Sequence, residues 1–392
     1  MTALLTRLLG RLPVGWLQLL HNRTRLVAAV GGVTFANVLI FMQLGFMNAL
    51  FETSVILHRS FVADAVLVSA DFRSLREANP LPRARLYQAL RDPAVLRATP
   101  VYLGTLYWTD PETGDTTNFR VVGVDPEREV FALPTLQAQL GVLRAGDSAL
   151  VDRRARDFPP RISRALASDG AFTIEVNGRE LTLRGEFVHG AAFDIDGALV
   201  VSDQTFLRLF PRRIPGAPTA VLLGLAPGSD PAAVARRIEA AFPERDARAF
   251  SKAEWVAAEQ SYQARQTPIG FVFGFGVAMG VVVGLVIVYQ VLATDVQDHL
   301  AEYATFKAIG YRPRYFLGVV FEEALGLACF GFVPGLLLSL VLYRVAAKAT
   351  ALPISMPWTR PVFVLALTAS MCAISGAIAT RRLNAADPAE LF

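Results

Sequence analysis

Residues 266–294 read QTPIGFVFGFGVAMGVVVGLVIVYQVLAT, 29 residues without a charged side chain. A helix needs about 20 apolar residues to cross the hydrocarbon core of a bilayer. Buried core helices rarely run this long without a charge. Three further stretches behave alike: residues 26–51, 324–343 and 361–380 carry 26, 20 and 20 uncharged positions. These four stretches predict four transmembrane helices. They also explain why a chain of 392 residues is 53% hydrophobic and only 18% charged, against roughly 25% charged in a soluble domain.

Working outward, residues 52–266 read differently. They hold 26 basic and 27 acidic residues, and their longest uncharged run, Ile214 to Ser229, is interrupted by Pro215, Pro218 and Pro227. That run is too short and too broken to span a membrane. The predicted fold is therefore an α-helical membrane protein with four transmembrane helices (one plus three) and a large α+β extracytoplasmic domain between the first and second. In segments, 1–25 is a cytoplasmic amphipathic stretch, 26–51 the first helix, 52–266 the periplasmic domain and 267–294 the second helix. Next come a cytoplasmic coupling helix (295–314), the third helix (315–343), a short periplasmic loop (344–360), the fourth helix (361–380) and a cytoplasmic tail (381–392).

Orientation follows the bias of Lys and Arg towards the cytoplasm. Arg7, Arg11, Arg23, Arg25, Lys307, Arg312, Arg314, Arg381 and Arg382 flank one side, and only Arg344, Lys348 and Arg360 the other. Both termini are expected in the cytoplasm. The N-terminal apolar segment starts too late and runs too long for a cleaved signal peptide.

Within residues 52–266, alternation predicts strands at Phe61–Ser69, Val95–Trp108, Thr117–Val124, Ala198–Val201 and Ala220–Leu225. The sharpest signal is Phe172 to Leu183, where Asn177-Gly178 supplies the positive φ angles of a two-residue hairpin turn. Arg83 to Leu90 reads as a helix. Asp230-Pro231 opens another, with a capping residue and a proline in the first turn. Ser251 to Gln266 is expected to run as one continuous helix into the second span.

Catalytic signatures are missing from the sequence. It contains no Gly-x-x-x-x-Gly-Lys-Ser/Thr loop, no His-Glu-x-x-His and no Gly-x-Ser-x-Gly elbow. Its four histidines (His21, His58, His189, His299) are scattered. These observations argue against an enzyme, a metal site or a bound cofactor. The net charge of +4 includes only three lysines, so no Lys-rich tail points to a nucleic acid. Cys329 and Cys372 fall in predicted spans and read as small buried apolar residues.

Three features remain. Gly270, Gly274, Gly276, Gly280 and Gly284 form small-x-x-x-small pairs that let another helix approach closely; the stripe suits packing within one chain or a dimer interface. Glu322 and Glu323 open the third span. Carboxylates in lipid are costly, but these lie within two turns of Arg314 and fit the headgroup level. Third, Leu300 to Ile309 reads as an amphipathic helix ended by Gly310, and it suits a groove on a cytoplasmic partner.

At this loop the sequence resembles the permease subunits of ABC transporters of the MacB/FtsX/LolC class, the type VII mechanotransmission systems. The matching residues are Glu302-Tyr-Ala-Thr-Phe-Lys-Ala-Ile-Gly310 and, in the tail, Asp387-Pro-Ala-Glu-Leu391. More narrowly the chain is similar to DevC-type permeases, through Trp16-Leu-Gln-Leu, Phe41-Met-Gln-Leu-Gly-Phe46, Leu57-His-Arg59, Val288-Tyr-Gln290, Ser375-Gly-Ala-Ile378 and Ala386-Asp-Pro388. The loop departs from the class in opening on Gln297-Asp298-His299 instead of an Arg-rich run. The resemblance implies a homodimer working with a cytoplasmic ABC ATPase dimer, which holds the ATP and magnesium. It also implies a periplasmic adaptor of the HlyD class, a TolC-like outer-membrane channel and a glycolipid or other lipid-like cargo. The ATPase would be met by Asp298, Glu302, Tyr303, Phe306, Lys307, Gly310 and Tyr311. The competing readings are an FtsX-like transducer that regulates envelope hydrolases and a lipoprotein-releasing permease.

Overall fold

The computed structural model describes residues 23–299, 302, 305, 309–311 and 313–385. They fall into two compact units. One takes the chain up to Asn48, Phe271–Ala346 and the chain from Ile354; the other takes Ala49–Gly270 and Ala347–Pro353. The helices in chain order are α1 Arg23–Ser54, α2 Ile56–Ser60, α3 Arg83–Ala89, α4 Pro134–Gln137, α5 Pro160–Ser168, α6 Asp203–Leu209, α7 Pro231–Ala240, α8 Lys252–Arg265, α9 Pro268–Asp298, α10 Pro313–Thr350 and α11 Thr359–Ala385.

Four of them, α1, α9, α10 and α11, are long and apolar enough to cross a membrane. Their interior partners are set by small residues. A Cβ placed on Gly280 or Gly284 would press on Ile40 and Ala36 of α1, and one on Gly276 would meet the end of Gln43. On α10, a Cβ at Gly331 would strike Val33, and one at Gly335 would lie 2.9 Å from the Asn37 Cβ. From α11, the Thr368 hydroxyl donates to Asn37 Oδ1 at 2.6 Å. Helix α1 therefore touches each of the other three, with backbones close enough for buried polar groups to pair. Thr34 Oγ1 donates to the Gly331 carbonyl at 3.2 Å in the same way.

Two expectations fail here. Ser251 to Gln266 does not run on as one helix. Gln266 is the C-terminal cap of α8, its amide donating to the Tyr262 carbonyl, and α9 begins at Pro268. Proline lacks the amide proton that a continuing helix requires; the Thr267 hydroxyl caps the break by donating to the Gln263 carbonyl at 2.7 Å. In addition, Cys329 is exposed at the surface of its helix, and only Cys372 is buried.

The second unit is built on a nine-stranded sheet of order β5-β6-β4-β7-β3-β2-β8-β1-β9. The strands are β1 Ala65–Ser69, β2 Val95–Thr109, β3 Thr116–Val124, β4 Ser148–Asp152, β5 Phe172–Val176, β6 Arg179–Phe187, β7 Gly197–Ser202, β8 Ala220–Leu225 and β9 Ala247–Ser251. Strand β2 is shared. Its first half, Val95–Val101, pairs with β8, and its second half, Tyr102–Thr109, pairs with β3. This divides the unit into an inner lobe (β1, β8, β9 and the start of β2) and an outer lobe (the end of β2 with β3 to β7).

Alternate residues face opposite sides of a strand, and both sides of the inner lobe are covered. Ala65 and Leu67 join Val221, Leu223 and the apolar face of α7. Val66 and Val68 join Leu222, Phe250 and Trp255 of α8. The outer lobe packs Phe119, Val121, Ile174, Leu181 and Phe206 into a core of its own. The hairpin turn forms as read, with Asn177 and Gly178 at φ 52° and 70°. Asp230 caps α7 by accepting from the Ala232 amide.

Candidate functional site

Ionised side chains collect where the C-terminal end of α9 meets α1. Arg25 sits in the first turn of α1. Its Nη1 lies 2.9 Å from Asp298 Oδ2 and 3.1 Å from Asp295 Oδ1, and its Nη2 donates to the Val291 carbonyl at 2.6 Å. The planar guanidinium thus clasps the last two turns of α9, a role that a lysine's single ammonium could not fill. The two carboxylates differ: the Asp295 side chain is 6% exposed and the Asp298 side chain 60%. His299 Nδ1 comes within 3.0 Å of the Asp295 carbonyl. From α10, Glu323 reaches the same carboxylate of Asp295.

Glu323 is 2% exposed. Glu323 thus packs beside Asp295.

Immediately beyond this clasp lies the segment that the sequence assigns to the ATPase. Asp298 belongs to the end of α9, since that helix continues past the expected limit at Thr294. Glu302 is exposed. Gly310 has φ +103°, open to glycine, and the Tyr311 ring lies tilted against that of Tyr315, 4.8 Å between centroids. Tyr303, Phe306 and Lys307 lie outside the described residues, as do the N-terminal segment before Arg23 and the tail motif at Asp387–Leu391.

The glycine stripe divides. Gly276, Gly280 and Gly284 face α1 within the chain, whereas Gly274 has open space around it and Gly270 backs onto the Gln263 carbonyl. Gly331 and Gly335 form a second pair with the same spacing, which the sequence reading overlooked because Pro334 sits between them.

A second tie joins α2 to α8 inside the sheet unit. The fully buried His58 packs its ring against Trp255, 4.2 Å between centroids, and its Nε2 lies 3.3 Å from Glu259 Oε2. Glu259 also accepts from the Leu75 amide at 3.0 Å. Lys252 Nζ donates to the Phe61 carbonyl at 2.6 Å, and burial pushes its ammonium below the usual lysine range. The segments that follow α1 and precede α9 are thus fastened to each other. His58 looked like one of four unrelated histidines in the sequence, and nothing there places it beside Trp255.

Among the described residues no group of three or more His, Cys, Asp or Glu side chains is arranged to hold a metal. The arrangement is mechanical: clasped helix ends, close-packed helices and one fastened pair of connecting segments.

Residues 274–388 match the family described as FtsX-like permease C-terminal. Among solved structures, the periplasmic region of MacB from Actinobacillus actinomycetemcomitans aligns at 10% identity and a TM-score of 0.33, covering 48% of this chain and 89% of that one. The extracellular domain of the noncanonic ABC-type transporter YknZ from Gram-positive bacteria aligns at 8% identity and a TM-score of 0.30, covering 44% of this chain and 90% of that one. A search of curated proteins gave no match. The match takes in α9, α10 and α11, three of the four helices long and apolar enough to cross a membrane, so this part of the chain is similar to an FtsX-like permease C-terminal domain.

Proposed function

We propose that this chain is the permease subunit of a DevC-type exporter, which passes ATP-driven motion from the cytoplasm to its sheet unit. The observation that carries the reading is the Arg25 clasp. It ties α1 to α9 at the point where the chain enters the 298–311 segment. In this reading, a paired cytoplasmic ATPase binds that segment and holds the ATP and magnesium. Glu302 and Lys307 supply polar contacts to it, and Phe306, Tyr303 and Tyr311 the apolar ones. Closure of the ATPases displaces the end of α9, and Arg25 makes α1 move with it. The close contacts at Gly276, Gly280 and Gly284 leave little slack between the two helices, because interiors packed to this density shift as bodies.

Two copies of the chain, a HlyD-class adaptor and a TolC-like duct complete the proposed assembly, with a glycolipid or similarly apolar cargo. Both termini lie in the cytoplasm. The glycines that face α1 support packing inside one subunit. Co-purification tests the reading. Reversing Glu302 and Lys307 together is expected to abolish recovery of the ATPase subunit with the permease. Undiminished recovery would overturn it. Arg25→Gln, by contrast, is expected to keep the ATPase bound and to lose the stimulation of its activity by cargo.

A further inference from the structure

The outer lobe leaves two strand edges unpaired around one groove. Strand β5 ends the sheet and has β6 as its single neighbour. On β2, the partner β8 stops at Val101, so residues 107–109 have β3 on one side and no strand on the other. These two edges approach each other without pairing and enclose a cavity of about 580 Å³ between Tyr107–Thr109 and Phe172–Gly178.

The register shows what each edge offers. The two-residue turn at Asn177-Gly178 makes Val176 and Arg179 the hydrogen-bonded pair. Hydrogen bonding alternates along an antiparallel pair, so the peptide groups of Thr173 and Glu175 point away from β6, outward into the groove. Across it, the Asp110 amide donates to the Asp115 carbonyl. By the same alternation Thr109 and Tyr107 aim their peptide groups away from β3. Unpaired donors and acceptors two residues apart match the groups of an extended chain. The walls converge to within 8 Å at Cα, whereas a strand paired on both sides takes roughly 9.6 Å, twice the interstrand spacing. An occupant therefore pairs with β5 and rests against β2.

Charge completes the description. Glu175 stands directly opposite Glu180 in the register, both exposed. Like charges in such a pair destabilise a sheet, and among the described residues neither carboxylate is in an ion pair. The one cation lining the groove, Arg161, is already committed to Asp110 and to Glu112, the latter at 2.8 Å. We infer that this groove binds an extended segment of a partner protein, added as a strand to the edge of β5, with a basic side chain over Glu175 and Glu180. The inference stands on the outer lobe alone and does not depend on which cargo is exported.

The test uses the purified full chain in detergent micelles and a fluorescein-labelled peptide, Thr-Lys-Val-Lys-Val-Lys-Thr. Two twins accompany it, one with glutamate for lysine and one N-methylated at alternate amides. Saturable binding of the lysine peptide is expected. It should weaken about tenfold in Glu175→Gln/Glu180→Gln, a surface change that leaves the fold intact. It should vanish for both twins, and bound peptide should slow amide exchange at Thr173 and Glu175. Equal binding of the N-methylated twin, unaltered exchange at those two amides, or no saturable binding by the native chain would each overturn the inference.

Discussion

Replacing Gly335 by alanine tests whether α1 is held as tightly as its glycine contacts indicate. The added Cβ would sit 2.9 Å from the Asn37 Cβ, where carbon atoms prefer about 3.5–4.0 Å. Asn37 Cβ is fixed to the α1 backbone and cannot rotate away, so the helices must part by roughly 0.6–1.1 Å, enough to forfeit a quarter to a half of each affected dispersion contact. The same motion pulls on the 2.6 Å bond between Asn37 and Thr368. Overpacking of this kind costs about 1–3 kcal/mol. Gly331→Ala drives its Cβ into Val33, 2.5 Å from that residue's Cβ, and a β-branched neighbour has little rotamer freedom with which to yield. Gly274→Ala and Gly31→Ala meet open space and serve as neutral controls. The assay is thermal unfolding in detergent, read by a thiol-reactive dye at Cys372, which is 1% exposed in the fold, after the exposed Cys329 has been changed to serine. Midpoints of the two tight variants should fall by about 2–4 °C for each kcal/mol lost, with the controls unmoved. If Gly335→Ala matches Gly274→Ala, the close approach of α10 to α1 is wrong.

Other outcomes follow from the same geometry. Arg25→Gln strands the buried Asp295 carboxylate, and breaking such a pair costs about 3–5 kcal/mol; adding Asp295→Asn should restore much of the loss in the same unfolding assay, whereas Asp298→Asn alone, at an exposed pair, should cost at most about 1 kcal/mol. In the sheet unit, burial pushes the His189 imidazole below its ordinary value against the pull of Asp152. The unfolded chain then binds more protons than the folded one below about pH 6.5, so stability should fall as pH drops through that value, and His189→Gln should flatten this part of a denaturation profile measured against pH. Ser251 and Glu254 form a reciprocal cap on α8; Ser251→Ala should cost about 1 kcal/mol and speed amide exchange in the first turn of that helix.

The sequence displayed most plainly what depends on local pattern. Uncharged runs located the four long helices, and Asn177-Gly178 located the hairpin, because length and turn chemistry are written within a few residues. Elements governed by distant partners were harder to see. Strand β4 is five residues, Ser148–Asp152; it carries no turn signal of its own and is held by β6 and β7, far along the chain. The break between α8 and α9 needed Pro268 to be weighed above the helical pattern on both sides of it. The clasp was half legible: Arg25 read as an orientation signal and Asp298 as a partner contact, and a sequence separation of 273 hid that they meet.

Strand β2 leaves the inner lobe after Val101, and the chain returns at Thr219, whose amide donates to the Val101 carbonyl at 2.9 Å. The Thr219 hydroxyl also accepts from the Leu103 amide at 2.9 Å. Everything between these points, the whole outer lobe, is thus an insertion whose two ends are one hydrogen bond apart. The two lobes nevertheless share a core, in which Leu103, Val122, Leu150 and Val200 pack with Val66, Leu222 and Trp255. A displacement of α8 is therefore carried into the outer lobe through Trp255 and these side chains, because interiors packed to this density shift as bodies.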